Sequence, residues 1–316
     1  MAYTRTQRRE NELPYIPFGP FQIRLPFIHY KIESVEFIQG LILGVTALAA
    51  VPYLEQYLGL PYELAWSCVI IETFLYLLHS LLGDPVVPGW ITPTLPLTIV
   101  FLEGFPMGEE RIQAMIALQL LVAFVFIFMG ITKLADKFVN GVPNSIKGGI
   151  LIAAPITVLQ GQLSDGSQLM TAPIATLAGT LLLAFLSFSP FCEKNRDKYK
   201  ILDIMAKYGN LFPYLVAMLA GVALGELSKP VLELGTVIRI PDFSNIFHTV
   251  SIFAVGFPPI SKFISALPLA LICYVLAFGD FVTSKTLVAE AQESRSDEYI
   301  DFNSSRSNLI SGLRNL

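Results

Sequence analysis

One stretch of the sequence is apolar enough for a membrane but cannot form an ordinary membrane-spanning helix. It covers residues 86–102 and reads Val-Val-Pro-Gly-Trp-Ile-Thr-Pro-Thr-Leu-Pro-Leu-Thr-Ile-Val-Phe-Leu. Pro88, Gly89 and Pro93 break or remove backbone hydrogen bonds in its first half. The pattern therefore predicts extended backbone followed by a half-helix over residues 95–102. That helix is about 12 Å long, against a hydrocarbon core of roughly 30 Å.

Extended backbone at membrane depth is tolerated only where protein or a water-filled cavity satisfies its hydrogen bonds. A strand that leads into a half-helix is how many transporters build a substrate site, because the helix N-terminus directs free N–H groups at the ligand. The alternative is a loop that enters the headgroup region and leaves on the same side.

The composition identifies the class of protein. The chain is 53% hydrophobic and only 15% charged, whereas soluble domains carry about 25% charged residues. Its apolar runs are long and do not alternate, which favours helices over a membrane barrel. The cysteines at positions 68, 192 and 273 are isolated, so neither a disulfide framework nor a metal site is predicted, and no cofactor is expected.

The apolar runs predict an all-α polytopic membrane protein with about eight to nine transmembrane helices. Besides the strand and half-helix of the third span, the predicted spans cover residues 35–53, 61–82, 112–131, 145–159, 173–188, 211–227 and 263–288. Another helix begins at residue 304. Gly40 and Gly44 lie on one face of the first span, and small residues four apart allow close helix packing.

Charge placement predicts the topology. Residues 1–31 contain several arginines and are predicted to form a cytoplasmic arm that lies on the membrane surface. Basic residues such as Lys133, Lys137 and Lys200 follow the fourth and sixth spans. The turn after the third span is acidic. The positive-inside rule then places the N-terminus in the cytoplasm of a multi-pass plasma-membrane protein, and it requires residues 86–102 to cross the bilayer.

Two carboxylic acids fall within predicted spans, Glu72 in the second and Asp280 in the eighth. An acid at that depth is costly and faces the protein interior by default. For Glu72, a structural hydrogen bond to a neighbouring helix and a role in proton or ion coupling remain equally open. His79, a turn or two later, is predicted to lie at the membrane interface.

Several motifs, in order, are similar to those of a known superfamily. They are residues 39–44 with Pro52, residues 76–97, Phe128-Met-Gly130 with residues 137–143 and 148–149, residues 278–291, and residues 299–303 with 308–315. Together they resemble the xanthine/uracil (nucleobase–ascorbate) permeases and the sulfate permeases. The resemblance implies a seven-plus-seven inverted repeat, with residues 32–227 as the first repeat and 228–316 as the start of the second. The chain is then expected to end before the tenth span.

The resemblance also implies a substrate site. Asp280 occupies the acid position of the eighth span, where a carboxylate can hydrogen-bond a nucleobase N–H or bind the coupling proton or sodium ion. Ser284 shares its face one turn on, while Thr92, Thr94 and Leu95 present groups from the third span. Where the xanthine/uracil group has small Gly and Ser residues before this half-helix, the present chain has Thr92-Pro93-Thr94.

The expected function is secondary active transport of a small solute, a nucleobase such as xanthine or uracil, driven by a proton or sodium gradient. A sulfate- or bicarbonate-type anion transporter is the alternative within the superfamily, and a non-transporting membrane scaffold or channel is the alternative of another class. An enzyme is not expected, because no nucleophile elbow, phosphate loop or His/Cys/Asp cluster is present. The partners expected are the bilayer, a small-molecule substrate and, by analogy, a second copy in a homodimer; nucleic acid is not expected.

Overall fold

The computed structural model describes residues 10–86, 94–141, 167–228, 240–294 and 297–316, together with isolated positions between 142 and 166. The described chain is mostly helical, with one short hairpin, β1 (Ile16–Phe18) and β2 (Phe21–Ile23), in which Ile16 lies opposite Ile23. The predicted extended segment 87–93 and most of the predicted fifth span lie outside the described residues.

The first six α-helices of the described chain are α1 (Ser34–Ala47), α2 (Val51–Leu58), α3 (Tyr62–Leu75), α4 (Leu77–Leu81), α5 (Leu95–Glu103) and α6 (Glu109–Ile131). They are followed by α7 (Leu134–Gly141), α8 (Gln168–Thr171), α9 (Pro173–Phe188), α10 (Pro190–Asn195), α11 (Lys200–Lys207) and α12 (Leu211–Ala223). The last are α13 (Phe243–Val250), α14 (Ile252–Val255), α15 (Ile260–Ser294) and α16 (Ser304–Arg314). The half-helix predicted over 95–102 is therefore confirmed as α5.

Four stretches of helix are long and apolar enough to cross a membrane: Ser34–Leu58, Tyr62–Leu81, Glu109–Ile131 and Ile260–Glu293. Shorter apolar helices lie at Pro173–Phe188, Leu211–Ala223 and Phe243–Val255. The all-α character is confirmed and the helices indicate membrane association. The total number of spans, the side on which the N-terminus lies and the inverted repeat stay predictions.

The chain divides into two compact units. Unit 1 contains residues 1–31, 48–152 and 241–316, and unit 2 contains residues 32–47 and 153–240. In unit 1, α6 packs against α15 around aromatic rings: Phe126 lies edge-to-face with Tyr274 at 5.1 Å and with Phe281 at 6.0 Å between ring centroids. This geometry is the one that aromatic quadrupoles favour, so the contact fixes the two long helices of the unit against each other.

Helix α16 also packs against α6, although its sequence, Ser-Ser-Arg-Ser-Asn-Leu-Ile-Ser-Gly-Leu-Arg, is largely polar. The approach is close at two glycines. A Cβ atom added at Gly130 would lie 2.9 Å from the carbonyl oxygen of Ser305, and one added at Gly312 would lie 3.0 Å from that of Ala123. Small residues therefore let this polar helix reach the unit's interior.

The close packing predicted at Gly40 and Gly44 is not found. A Cβ atom added at either glycine would meet nothing within 4 Å in the described part of the chain. One tight position in unit 2 is instead Gly179 of α9, where an added Cβ atom would lie 2.9 Å from the Cβ atom of Ala217 in α12. The spacing of four residues predicted that the two glycines share one face of a helix. Whether another helix packs on that face depends on the tertiary structure.

The N-terminal segment folds onto unit 1 as part of it. The backbone N–H groups of Gln22 and Arg24 donate to the carbonyls of Leu82 and Leu81 at 3.1 and 2.9 Å. The side chains of Gln22 and Arg24 are buried. Residues of the predicted surface-lying arm are thus packed at the end of α4, because β2 extends the hydrogen bonding of that turn.

Candidate functional site

Polar side chains form a stripe along one face of α15. Cys273, Asp280 and Ser284 are separated by seven and four residues, so they lie within about 40° of one another around a helix of 3.6 residues per turn. Cys273 and Ser284 are buried, whereas Asp280 is half-buried. A carboxylate flanked by a hydroxyl one turn away can accept hydrogen bonds from N–H groups or bind a cation.

The start of α5 meets this stripe. Thr94 is 6% exposed and stands at the N-cap of α5, and its side chain lies beside the thiol of Cys273. The hydroxyl makes no capping bond to its own helix, which leaves the first N–H groups of α5 uncapped by that side chain. Asp280 lies about 10 Å further along α15 at 1.5 Å per residue.

The structure places the predicted site residues on two helices that contact each other. Asp280 and Ser284 share one face of α15, and Leu95 follows Thr94 as the first residue of α5. Thr92 lies outside the described residues. These residues were predicted from separate segments of the sequence, and the approach of Thr94 to Cys273 relates their two helices.

Glu72 belongs to a different cluster. It lies on α3 one turn before Tyr76, and the positive charge of Arg314 in α16 interacts with it electrostatically. The Arg314 guanidinium also stacks over the Tyr76 ring, 4.2 Å from the centroid. Of the two roles left open by the sequence, this arrangement favours the internal helix–helix interaction, because Glu72 already faces a cation supplied by the protein.

Helix α16 supplies polar groups to the interior that sequence reasoning missed. The hydroxyl of Tyr274 donates to the Asn308 side chain at 3.0 Å, and both residues are buried. Ser305 donates from its backbone N–H and its hydroxyl to the carboxylate of Asp136. A serine-rich helix gives little apolar signal, so its burial could not be foreseen from periodicity.

A buried histidine–aspartate pair was also missed. His79 is 0% exposed and its Nδ1 lies 2.8 Å from Oδ2 of Asp84, which is itself 4% exposed. The His79 side chain is therefore packed inside unit 1, and its position at the membrane interface stays a prediction. The sequence signal that could have found the pair is the Gly83-Asp84 turn: Gly83 has φ +83°, and the Asp84 N–H bonds back to the His79 carbonyl at 2.8 Å.

A network of charges ties the N-terminal segment to α16. Arg306 donates to Asp301 at 3.1 Å, while Arg24 lies 3.8 Å from Glu12. Burial, and then the neighbouring charge of Arg306, lower the pKa of Arg24, whereas the charge of Glu12 opposes that change. Arg24 nevertheless remains a cation, because the pKa of a guanidinium lies far above neutrality.

Among the described residues, no group of three or more His, Cys, Asp or Glu side chains is placed to hold a metal ion. A cavity of about 180 Å³ in unit 2 is lined by Leu183, Leu186, Ser187, Arg196, Ala206 and Gly209, a set without any predicted site residue. No protein-family model matches the chain, and no curated protein shows significant similarity to it.

Proposed function

We propose that this protein is a secondary active transporter of a small solute, with Asp280 as the principal substrate-binding residue. The observation that carries the proposal is the polar stripe of α15, where Asp280 and Ser284 lie on the face that Thr94 contacts through Cys273. A half-buried carboxylate is energetically costly in a helix long and apolar enough to span a membrane. Such residues commonly mark substrate or ion sites.

The half-helix α5 supports the same proposal. It begins at Leu95 after a proline-rich stretch of sequence, and its apolar length is too short to cross a bilayer by itself. Broken helices of this kind are tolerated where their ends line a polar cavity, and their N-termini attract negative or carbonyl groups of a solute. Pro96 removes one N–H group from the first turn, so the remaining donors and the Asp280 carboxylate would share recognition.

For the substrate we propose a nucleobase such as xanthine or uracil, carried with a proton or sodium ion. A carboxylate favours a neutral ligand that presents N–H groups over a bare anion, because two negative charges repel. The resemblance to the xanthine/uracil and sulfate permeases supports this class of solute. A sulfate- or bicarbonate-type anion is the second candidate, because a helix N-terminus such as that of α5 attracts negative charge.

The test is thermal unfolding of the purified full-length protein with a panel of nucleobases and small oxyanions. A bound ligand at a hundredfold excess over its Kd stabilises the folded state by about 2.7 kcal/mol, which corresponds to a rise in Tm of roughly 5–10 °C. Asp280→Asn should abolish the rise. Asp197→Asn, the same change at an exposed carboxylate in unit 2, should preserve it.

Each outcome separates the candidates. A rise with one purine or pyrimidine that disappears in Asp280→Asn supports nucleobase transport. A rise with an oxyanion instead moves the protein to the anion-transporting class. If no ligand changes Tm and Asp280→Asn behaves like the wild type, Asp280 is a structural residue and a non-transporting scaffold or channel becomes the better description.

A further inference from the structure

The two apolar helices of unit 2, α9 and α12, run antiparallel. A Cβ atom added at Gly179 would lie 2.9 Å from the Cβ atom of Ala217. One added at Gly221 would lie 2.9 Å from the Cβ atom of Ala175. The end of α9 therefore lies beside the start of α12, and residues 188–210, which we call the basic connector, join the two ends through α10 and α11.

Helix α11 of the basic connector is amphipathic. Its charged residues, Lys200, Asp203 and Lys207, lie within about 60° of one another around a helix of 3.6 residues per turn. On the opposite side Ile201 is 68% exposed, and Ala206 lines the cavity of unit 2. A helix with lysines on one face and exposed apolar side chains on the other is typical of a segment that lies in the headgroup region of a bilayer.

The basic connector also exposes large aromatic side chains next to the end of α9. Phe188 is 83% exposed, Phe191 56% and Tyr199 53%. The Phe191 ring lies 6.4 Å from that of Phe185 in α9, measured between centroids, so the exposed apolar surface of the helix continues into the connector. Apolar surface of this kind marks a contact with a membrane or a partner.

The same segment carries an excess of positive charge. It contains five basic residues and three acidic ones, and Lys207 pairs with Asp203 at 2.7 Å. The other basic residues are exposed and have no ion-pair partner in the described part of the chain; they are Lys194, Arg196, Lys198 and Lys200. Each such cation near a bilayer raises the affinity for anionic headgroups by about fivefold.

The cavity of about 180 Å³ joins these two properties. Arg196 and Ser187 bring hydrogen-bond donors to its lining, whereas Leu183, Leu186 and Ala206 bring apolar surface. A guanidinium can bind two oxygens of a phosphate at once, and a hydroxyl can donate to another. A phosphate ester with an apolar chain has the matching chemistry.

We propose that the basic connector binds an anionic phospholipid, with the headgroup phosphate at Arg196 and Ser187 and the acyl chains along the exposed apolar side chains of α9. The exposed lysines attract anionic headgroups to this surface. A phospholipid combines the anion with the hydrocarbon that this surface requires, whereas a soluble acidic partner would supply only the anion. The proposal does not depend on which solute the protein transports.

The test uses the full-length protein in bilayers of phosphatidylcholine that contain increasing fractions of brominated phosphatidylglycerol. Bromine quenches tryptophan fluorescence at short range, so Phe191→Trp reports lipid bound at the connector, and the wild type gives the background of the two native tryptophans. We expect phosphatidylglycerol to bind at least about fivefold more tightly than brominated phosphatidylcholine. Salt should reduce this preference, because the lysines are exposed.

Substitutions in the reporter protein test the residues. Arg196→Gln should lower the preference for phosphatidylglycerol by about fivefold. Arg196→Lys should lower it by less, because the charge remains while the bidentate geometry is lost. Lys137→Gln, at an exposed lysine of unit 1, is the matched control and should retain the preference. The Tm of each variant shows that it is folded.

Three results would overturn the proposal. The first is equal quenching by the two lipids, or a wild-type preference in Arg196→Gln. The second is displacement of the brominated lipid by soluble glycerol phosphate, which would make the site one for a free phosphate compound. The third is quenching by neither lipid, which would mean that a second copy of the chain or another partner covers the surface.

Discussion

The packing of α16 against α6 can be tested with a single methyl group. In Gly130→Ala the new Cβ atom would lie 2.6 Å from Cγ of Leu309 and 2.9 Å from the Ser305 carbonyl oxygen. The Leu309 side chain can rotate away, but the carbonyl belongs to a backbone whose N–H is held by Asp136 at 3.2 Å. The helices must therefore separate, and overpacking of this kind costs about 1–3 kcal/mol.

Replacing glycine by alanine inside a helix also contributes a favourable propensity term of about 1 kcal/mol. Gly40→Ala is the matched control for it, because no described atom lies within 4 Å of the Cβ atom that would be added in α1. The propensity term cancels between the two variants, so the free energy of unfolding of Gly130→Ala should be lower than that of Gly40→Ala by about 1–3 kcal/mol.

The assay is thermal unfolding of the purified variants in detergent, followed by intrinsic fluorescence. At roughly 2–4 °C per kcal/mol for chains somewhat shorter than this one, Gly130→Ala should unfold about 2–12 °C below Gly40→Ala. If the two variants have the same Tm, the helices do not approach as closely as the structure has them. The burial of the polar residues of α16 would then be wrong as well.

Two further variants test hydrogen bonds within each unit. Tyr274→Phe removes the buried hydroxyl that donates to the Asn308 side chain, so it should lower the free energy of unfolding by about 1–2 kcal/mol. The control is Tyr214→Phe, at a half-exposed ring, which should leave the free energy of unfolding unchanged. Equal Tm values for the two variants would contradict the hydrogen bond between Tyr274 and Asn308. Glu226 accepts two backbone N–H groups at the start of α9, at 2.9 and 2.8 Å. Glu226→Gln should therefore cost about 1 kcal/mol in chemical unfolding, and Glu193→Gln at an exposed position serves as the control that should remain like the wild type.

The local elements could be predicted where they depend on neighbouring residues in the sequence. Prolines before residue 95 and an apolar run after it predicted a half-helix, and the structure has Leu95–Glu103. Likewise Asp280 and Ser284 share a face because of their spacing in α15, which any straight helix would reproduce. The segment from residue 304 was also predicted to be a helix, and the structure has one at Ser304–Arg314, where the Asn303 side chain caps the N-terminus by accepting the Arg306 N–H.

The sequence by itself determined the membrane-like helical character, the apolar helices and the start of the short helix α5, because these follow from local hydropathy and from the backbone chemistry of proline. Only the tertiary structure decided which side chains meet. It buried the polar helix α16 against Gly130, placed Arg314 beside Glu72, and closed His79 onto Asp84 under the N-terminal hairpin. Such pairings depend on which helices approach each other, and helix approach is governed by packing between distant segments that no local pattern encodes.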